Sequence, residues 1–145
     1  MAFKILTLDG GGSRGVYTLG VLNEVEKLLG SPLVNHFDLI YGTSTGAIIS
    51  SLIALGKPID EIKKHYFDLI PKIMNASGAT KRSRNLQEHC DKILGNATFH
   101  EVKTSIGIVA MNYDDTKPLI FKRDVKQSYS MQSSFEPGFG CTLSV

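Results

Sequence analysis

Two short glycine-rich stretches hold the residue types from which a reaction site can be built. The first is Asp9-Gly10-Gly11-Gly12-Ser13-Arg14-Gly15, and the second is Gly42-Thr43-Ser44-Thr45-Gly46. Three consecutive residues without a Cβ leave the Gly10, Gly11 and Gly12 amides unhindered, and amides at a helix start attract negative charge. The second stretch has the form Gly-x-Ser-x-Gly, which sets one serine at the apex of a tight strand-to-helix turn. A hydroxyl held out in this way and a nearby cradle of N–H groups are the parts that serine acyl transfer needs. Ser44 is therefore the candidate nucleophile, and Gly10, Gly11 and Gly12 are the candidate oxyanion donors. Each well-placed donor contributes about 3–4 kcal/mol in the transition state.

The flanking segments decide whether these turns can meet. Phe3 to Leu8 is a short apolar run that reads as a buried strand, and Phe37 to Tyr41 reads as a second. Apolar residues then recur at helical spacing from Val16 to Leu29, with Val21, Val25 and Leu28 on one line and Leu22 and Leu29 beside it. Gly30-Ser31-Pro32 stops that helix. Further helices are expected over Ala47–Leu55, Asp60–Ile70 and Leu86–Leu94, and further strands over Ser105–Met111 and Leu119–Phe121. Residues 71–84 read as a mobile loop and Ser128–Gly140 as a surface loop. Alternating strands and helices imply an α/β fold with a mainly parallel sheet covered on both faces. In such a sheet both glycine turns lie at the carboxyl ends of their strands, where open α/β sheets place their sites.

Two other readings of the turns are available. Gly10-x-Gly12-x-x-Gly15 also fits a dinucleotide-binding fingerprint, which needs an acidic residue at the tip of the second strand. Asp38 has roughly the right spacing, but it opens that strand, and Gly42-Thr43-Ser44 occupies the tip. The alternative is that Thr43, Ser44 and Thr45 serve only as helix caps; a cap needs neither Gly42 and Gly46 nor the loop at 10–15. Gly42 and Gly46 relieve the crowding of a strained elbow.

Composition narrows the classes. At 145 residues the chain fits one domain, and its 42% hydrophobic and 21% charged content is that of a globular protein. A net charge of +2, with no basic stripe interleaved with aromatics, argues against a nucleic-acid partner. Cys90 and Cys141 are too few for a disulfide framework, which points to a reducing compartment and a cytoplasmic protein. Residues 1–15 show no basic n-region or long apolar h-region, and no apolar stretch approaches membrane-spanning length. The end at Cys141-Thr142-Leu143-Ser144-Val145, inside an apolar run, reads as a cut chain, with self-association expected at an uncovered sheet edge.

Asp-Gly-Gly-Gly-Ser-Arg-Gly followed by Asp38-Leu-Ile-Tyr-Gly-Thr-Ser-Thr-Gly-Ala47 resembles the patatin-like phospholipase family, and the likeness runs through the whole chain. The resemblance implies a three-layer α/β/α hydrolase fold, of which residues 1–145 would be the N-terminal portion. It further implies lipid acyl hydrolysis by a Ser–Asp dyad without histidine, metal or other cofactor. Ser44 would be the nucleophile, Gly10–Gly12 the oxyanion hole, and Arg14 the residue that holds that loop. The implied partner is a phospholipid or other acyl-ester lipid met at a membrane surface. The family's aspartate lies in a later Asp-Gly-Gly or Asp-Gly-Ala motif. After Ser44 this sequence has none, because Asp114, Asp115 and Asp124 are followed by Asp, Thr and Val. The expectation is a lipase whose dyad aspartate lies outside these residues, and an inactive fragment. Acyl transfer to another acceptor, a phosphate-binding module and a catalytically dead regulatory domain are the competing functions.

The remaining chemistry-bearing residues are weaker. His36, His65, His89 and His100 lack metal-ligand spacing, although His89 or His100 follows Ser44 in the order of a conventional triad. Cys90 reads as a small core residue. Lys81, Arg82 and Arg84 could meet anionic headgroups or could simply be solvated. Tyr66, Phe67, Leu69, Ile70, Ile73 and Met74 read as packing on the sheet, with a lid or a membrane-facing patch as the alternative.

Overall fold

A computed structural model describes residues 2–112, 114 and 116–122. Strand β1 (Ile5–Leu8) leads through a 3₁₀ turn at Gly12–Arg14 into helix α1 (Gly15–Leu29). A second 3₁₀ turn at Leu33–Asn35 precedes β2 (Leu39–Thr43), which runs directly into α2 (Thr45–Ala54). Helices α3 (Ile59–Met74) and α4 (Ala79–Leu94) follow, and then strands β3 (Ser105–Asn112) and β4 (Lys117–Lys122). The sheet order is β1-β2-β3-β4, with β1, β2 and β3 parallel and β4 antiparallel at the edge. The fold is α/β with a mainly parallel sheet, as the alternation of elements predicts.

Register decides what each face carries. Leu6 pairs with Ile40 and Leu8 with Gly42, while Ile40 and Gly42 pair with Ile106 and Ile108. With a side-chain period of two, these six positions share one face. Leu8, Ile40 and Ile106 are buried there, against α2. Every residue of α2 from Ile48 to Ala54 is buried, because the helix lies between the sheet and α3. A helix apolar on all sides is the expected occupant of such a central position. Helix α3 packs on α1, α2 and α4, so one core joins all four helices to this face. The opposite face is more open among the described residues: Ile5 is exposed, and Leu39, Tyr41 and Thr43 are half-buried.

Two expectations from periodicity change. Helix α1 buries Leu19 and Leu22, whereas Val21 and Leu28 are 60% and 87% exposed. Apolar residues wrap around α1, so spacing alone cannot choose its inner face; contact with α3 does. The segment at 71–84 is mostly helical. Helix α3 continues through Pro71 to Met74, and α4 starts at Ala79. Pro71 leaves the Phe67 carbonyl without its helical donor, and Phe67 lies on the exposed side, where water can supply one. Arg82 Nε donates to Ala76 O (3.1 Å) and Asn85 Nδ2 to Lys72 O (2.8 Å), tying the first turns of α4 to the end of α3. Lys81, Arg82 and Arg84 therefore sit on a helix. The expected loop at 128–140, Asp115, Asp124 and Cys141 lie outside the described residues.

Polar side chains pin the connections. Glu26 accepts the Leu33 amide on Oε1 (3.2 Å) and the Ile59 amide on Oε2 (2.9 Å), so one α1 carboxylate holds the starts of a 3₁₀ turn and of α3. Gly30 closes α1 in the left-handed region at φ 68°. Cys90 is fully buried in the core, and burial pushes its thiol above the ordinary value. That placement is structural.

His89 is also buried, and its Nε2–H donates to the His65 carbonyl oxygen at 2.9 Å across the α3–α4 contact. Burial pushes its imidazole below the ordinary value near 6.5. The bond to His65 opposes this shift; Lys72 and the His65 ring reinforce it, and Asp68 opposes it. The folded state thus holds its neutral form at pH values where the unfolded chain is already protonated. The stability linked to His89 is complete above about pH 6.5 and is lost as pH falls below it. Urea denaturation at pH 7.5 and 5.5 should show that fall, and His89→Gln should reduce it. An equal fall in the variant would remove His89 as its source.

Candidate active site

β1 and β2 are adjacent and parallel, so the turns that leave their carboxyl ends stand side by side. Leu8, the last residue of β1, pairs with Gly42, one residue before the end of β2. From Leu8 the chain passes Asp9, Gly10 and Gly11 into the turn at Gly12–Arg14. From Thr43 it passes through a single residue, Ser44, into α2.

Ser44 has φ 54° and ψ −126°, a left-handed conformation uncommon for a residue with a side chain. Such strain costs about 1–3 kcal/mol and persists only where the surroundings impose it. Its side chain does not cap α2, although its carbonyl accepts the Ala47 amide (2.9 Å). Ser44 is exposed, and among the described residues its hydroxyl has no hydrogen-bond partner. The capping interpretation of the Thr43-Ser44-Thr45 run therefore does not account for this serine.

The surroundings that impose the turn are glycines. A Cβ on Gly10 would lie 2.8 Å from Ser44 Cβ, 3.2 Å from Thr43 O and 3.5 Å from Ser44 Oγ. The backbone of the first loop thus rests directly against the serine. A Cβ on Gly46 would overlap the Leu8 carbonyl oxygen and come within 2.7 Å of Asp9 O, so the first turn of α2 lies on the end of β1. Gly42 is buried against the Gly46 carbonyl and the Ser50 hydroxyl.

In the first loop, the Arg14 amide donates to Gly11 O (3.1 Å), and the Gly15 amide donates to Gly12 O and Ser13 O. Among the described residues the Gly11 and Gly12 amides have no acceptor of their own. Ser44 immediately precedes α2, whose dipole favours negative charge there, and the Gly10 backbone of the loop that leads to α1 lies against it. Arg14 is exposed and folds over Gly11, forming no ion pair among the described residues. Asp9 is exposed, Thr43 ends β2 half-buried, and the Thr45 hydroxyl is buried.

Other candidates are elsewhere. The His89 ring is committed to the α3 backbone, and His100 is exposed after α4. Asp38 accepts the Lys4 amide at 2.7 Å, at the amino end of β2. The tip of that strand carries no acid for a ribose, so the dinucleotide arrangement is not formed. A hollow lined by Asp38, Tyr41, Lys103 and Lys122 opens at the amino ends of β2 and β3, the end opposite Ser44. Among the described residues no cluster of His, Cys, Asp and Glu could hold a metal ion, and no helix is long and apolar enough to cross a membrane.

One residue at this site has a contact that neither packing on the sheet nor a lid describes. Tyr66 of α3 is 3% exposed, and its hydroxyl donates to Gly12 O. The two residues are 54 positions apart, and no local pattern links them.

A sequence model of the family described as "Patatin-like phospholipase" matches residues 6–137. An Escherichia coli protein named cUMP-AMP-activated phospholipase is 45% identical over 140 residues, which are 97% of this chain and 44% of that protein. A Pseudomonas aeruginosa cGAMP-activated phospholipase is 30% identical over 140 residues, 89% of this chain and 42% of that protein. Patatin-T5 of Solanum tuberosum is 28% identical over 137 residues, 82% of this chain and 36% of that protein. The chain spans less than half the length of each of these relatives.

Proposed function

Because this chain belongs to the patatin-like phospholipase family, we propose that it carries the nucleophile and oxyanion-binding parts of a serine lipid acyl hydrolase. The observation that carries this reading is the contact of the Gly10 backbone with a strained, exposed Ser44. In the proposed reaction Ser44 Oγ attacks the acyl carbonyl of a phospholipid or similar ester, and its proton passes to a general base. The carbonyl oxygen becomes an oxyanion held by the amides of Gly10, Gly11 and Gly12 and by the start of α2. Collapse expels the alcohol with that proton and leaves an acyl-serine; water then releases the fatty acid and restores Ser44.

The base is the aspartate that the family's dyad supplies. No Asp-Gly pair occurs between Ser44 and Val145, so we place the base outside these residues. Residues 1–145 alone should then turn over esters on the order of 10⁴-fold or more below the full-length protein. Arg14, lying over Gly11, is assigned to holding the loop in place. A lipid substrate is met at an interface, and we assign the protein to the cytoplasmic side of a membrane surface. Relatives whose names state activation by cUMP-AMP or cGAMP support a cyclic dinucleotide as the trigger of the full-length protein. The low net charge argues only against nucleic-acid polymers.

A fluorophosphonate probe tests the reading. The full-length protein, with cUMP-AMP or cGAMP present, should be labelled at Ser44, as read by peptide mass. Labelling elsewhere, or none in a folded protein, would overturn it.

A further inference from the structure

We propose that Tyr66 is a positioning residue for the oxyanion-binding loop, holding Gly12 by its carbonyl so that the amides of the loop face Ser44. The inference rests on the hydrolase reading above and adds a residue to it from α3, outside both glycine turns.

Four observations carry it. Tyr66 is buried at the centre of α3, between Ile62 and Leu69, which are 1% and 2% exposed; its ring has little freedom. Its hydroxyl donates to Gly12 O, the same oxygen that accepts the Gly15 amide, so that carbonyl is held from two directions. In a trans peptide the N–H points opposite to the C=O. A Gly12 carbonyl drawn towards α3 therefore turns the Ser13 amide away from it and fixes the plane of the adjoining loop. Gly15 is the third observation: a methyl group there would overlap the Tyr66 oxygen, so this glycine of the motif makes room for the phenol. Finally, the Tyr66 oxygen lies beside the Thr45 hydroxyl at the start of α2, so one phenol touches both turns. Burial raises its pKa, with Thr45 and the Gly15 amide opposing, so the hydroxyl keeps its proton and remains a donor at neutral pH.

The loop needs such a hold. Gly12 lies at φ 55° among glycines, and a chain of residues without side chains has no packing of its own to keep it still. Misplacement of a reacting geometry by about 1 Å can cost about 100-fold in rate.

The test uses the full-length protein and a nitrophenyl ester, with turnover expressed per site labelled by fluorophosphonate. Tyr66→Phe keeps the ring and removes the hydroxyl. Its kcat should fall about 10- to 100-fold at nearly unchanged KM, and the rate of fluorophosphonate reaction should fall in parallel. Leu69→Ala, on the same buried face of α3, should lower Tm more than Tyr66→Phe does while keeping kcat per site within about twofold. Gly15→Ala, which displaces the phenol without removing it, should reproduce the loss of kcat and decides the matter if Tyr66→Phe does not fold. Unchanged kcat per site in Tyr66→Phe and in Gly15→Ala would overturn the inference alone. A wild-type protein without Ser44-dependent turnover would overturn the hydrolase reading, and this inference with it.

Discussion

Ser44→Ala is expected to abolish ester hydrolysis, with a loss of about 10⁴- to 10⁶-fold in turnover, while the fold and Tm stay close to wild type. A nucleophile and its base act as one unit, so removing either leaves only the contribution of substrate binding and the oxyanion donors. The fold should survive because the Ser44 hydroxyl holds nothing: it neither caps α2 nor bonds to another group among the described residues. Alanine also inherits the φ of 54°, so no strain is released. Ser44→Gly separates these terms. It should be as inactive as the alanine variant and more stable, by about 1 kcal/mol, because glycine adopts that conformation without a Cβ clash. The measurements are kcat in the full-length protein and the midpoint of urea denaturation. Turnover in Ser44→Ala above one-hundredth of wild type would remove Ser44 as nucleophile.

The second large effect is on Gly46→Ala, where two principles predict opposite signs. Helix propensity alone favours alanine inside α2 by about 1 kcal/mol. The new methyl group would overlap the Leu8 carbonyl oxygen, at the end of a strand fixed by its ladder to β2, and approach the oxygen of Asp9, the residue that follows it. Overpacking of this kind costs about 1–3 kcal/mol, and more where backbone must move, so the clash outweighs the propensity. Relief requires α2 to lift from the end of β1, which carries Ser44 away from Gly10. Stability and kcat should therefore fall together, the latter by at least about 10-fold. An alanine variant as stable as wild type would show that α2 does not rest on β1 as described.

The parts of this protein that were legible in its sequence are those built from near neighbours. A strand, a glycine turn and a helix start follow one another directly along the chain, so Phe3–Gly15 and Phe37–Ala47 displayed their form and their chemistry directly. The order of strands and helices likewise implied the parallel sheet, which put both turns at one end of it. Asp38, at the start of its strand, could be set aside as a ribose ligand from position alone.

What sequence could not settle is what distant partners decide. Spacing does not select the inner face of α1, since apolar residues surround that helix and contact with α3 decides that Leu19 and Leu22 are buried while Val21 and Leu28 are exposed. Pro71 and the basic run at Lys81–Arg84 read as a loop, although packing between α3 and α4 holds both segments helical. Tyr66 carried no signal of its role, because its bond to Gly12 spans 54 residues. Local chemistry specified which groups could react; only the register of Leu8 on Gly42 and the packing of α2 and α3 brought Ser44, the glycine amides and the phenol to one place. The physical reason is range. Turn and helix-start preferences act over a few covalent bonds, whereas burial and close approach depend on surfaces that the chain brings together only when folded.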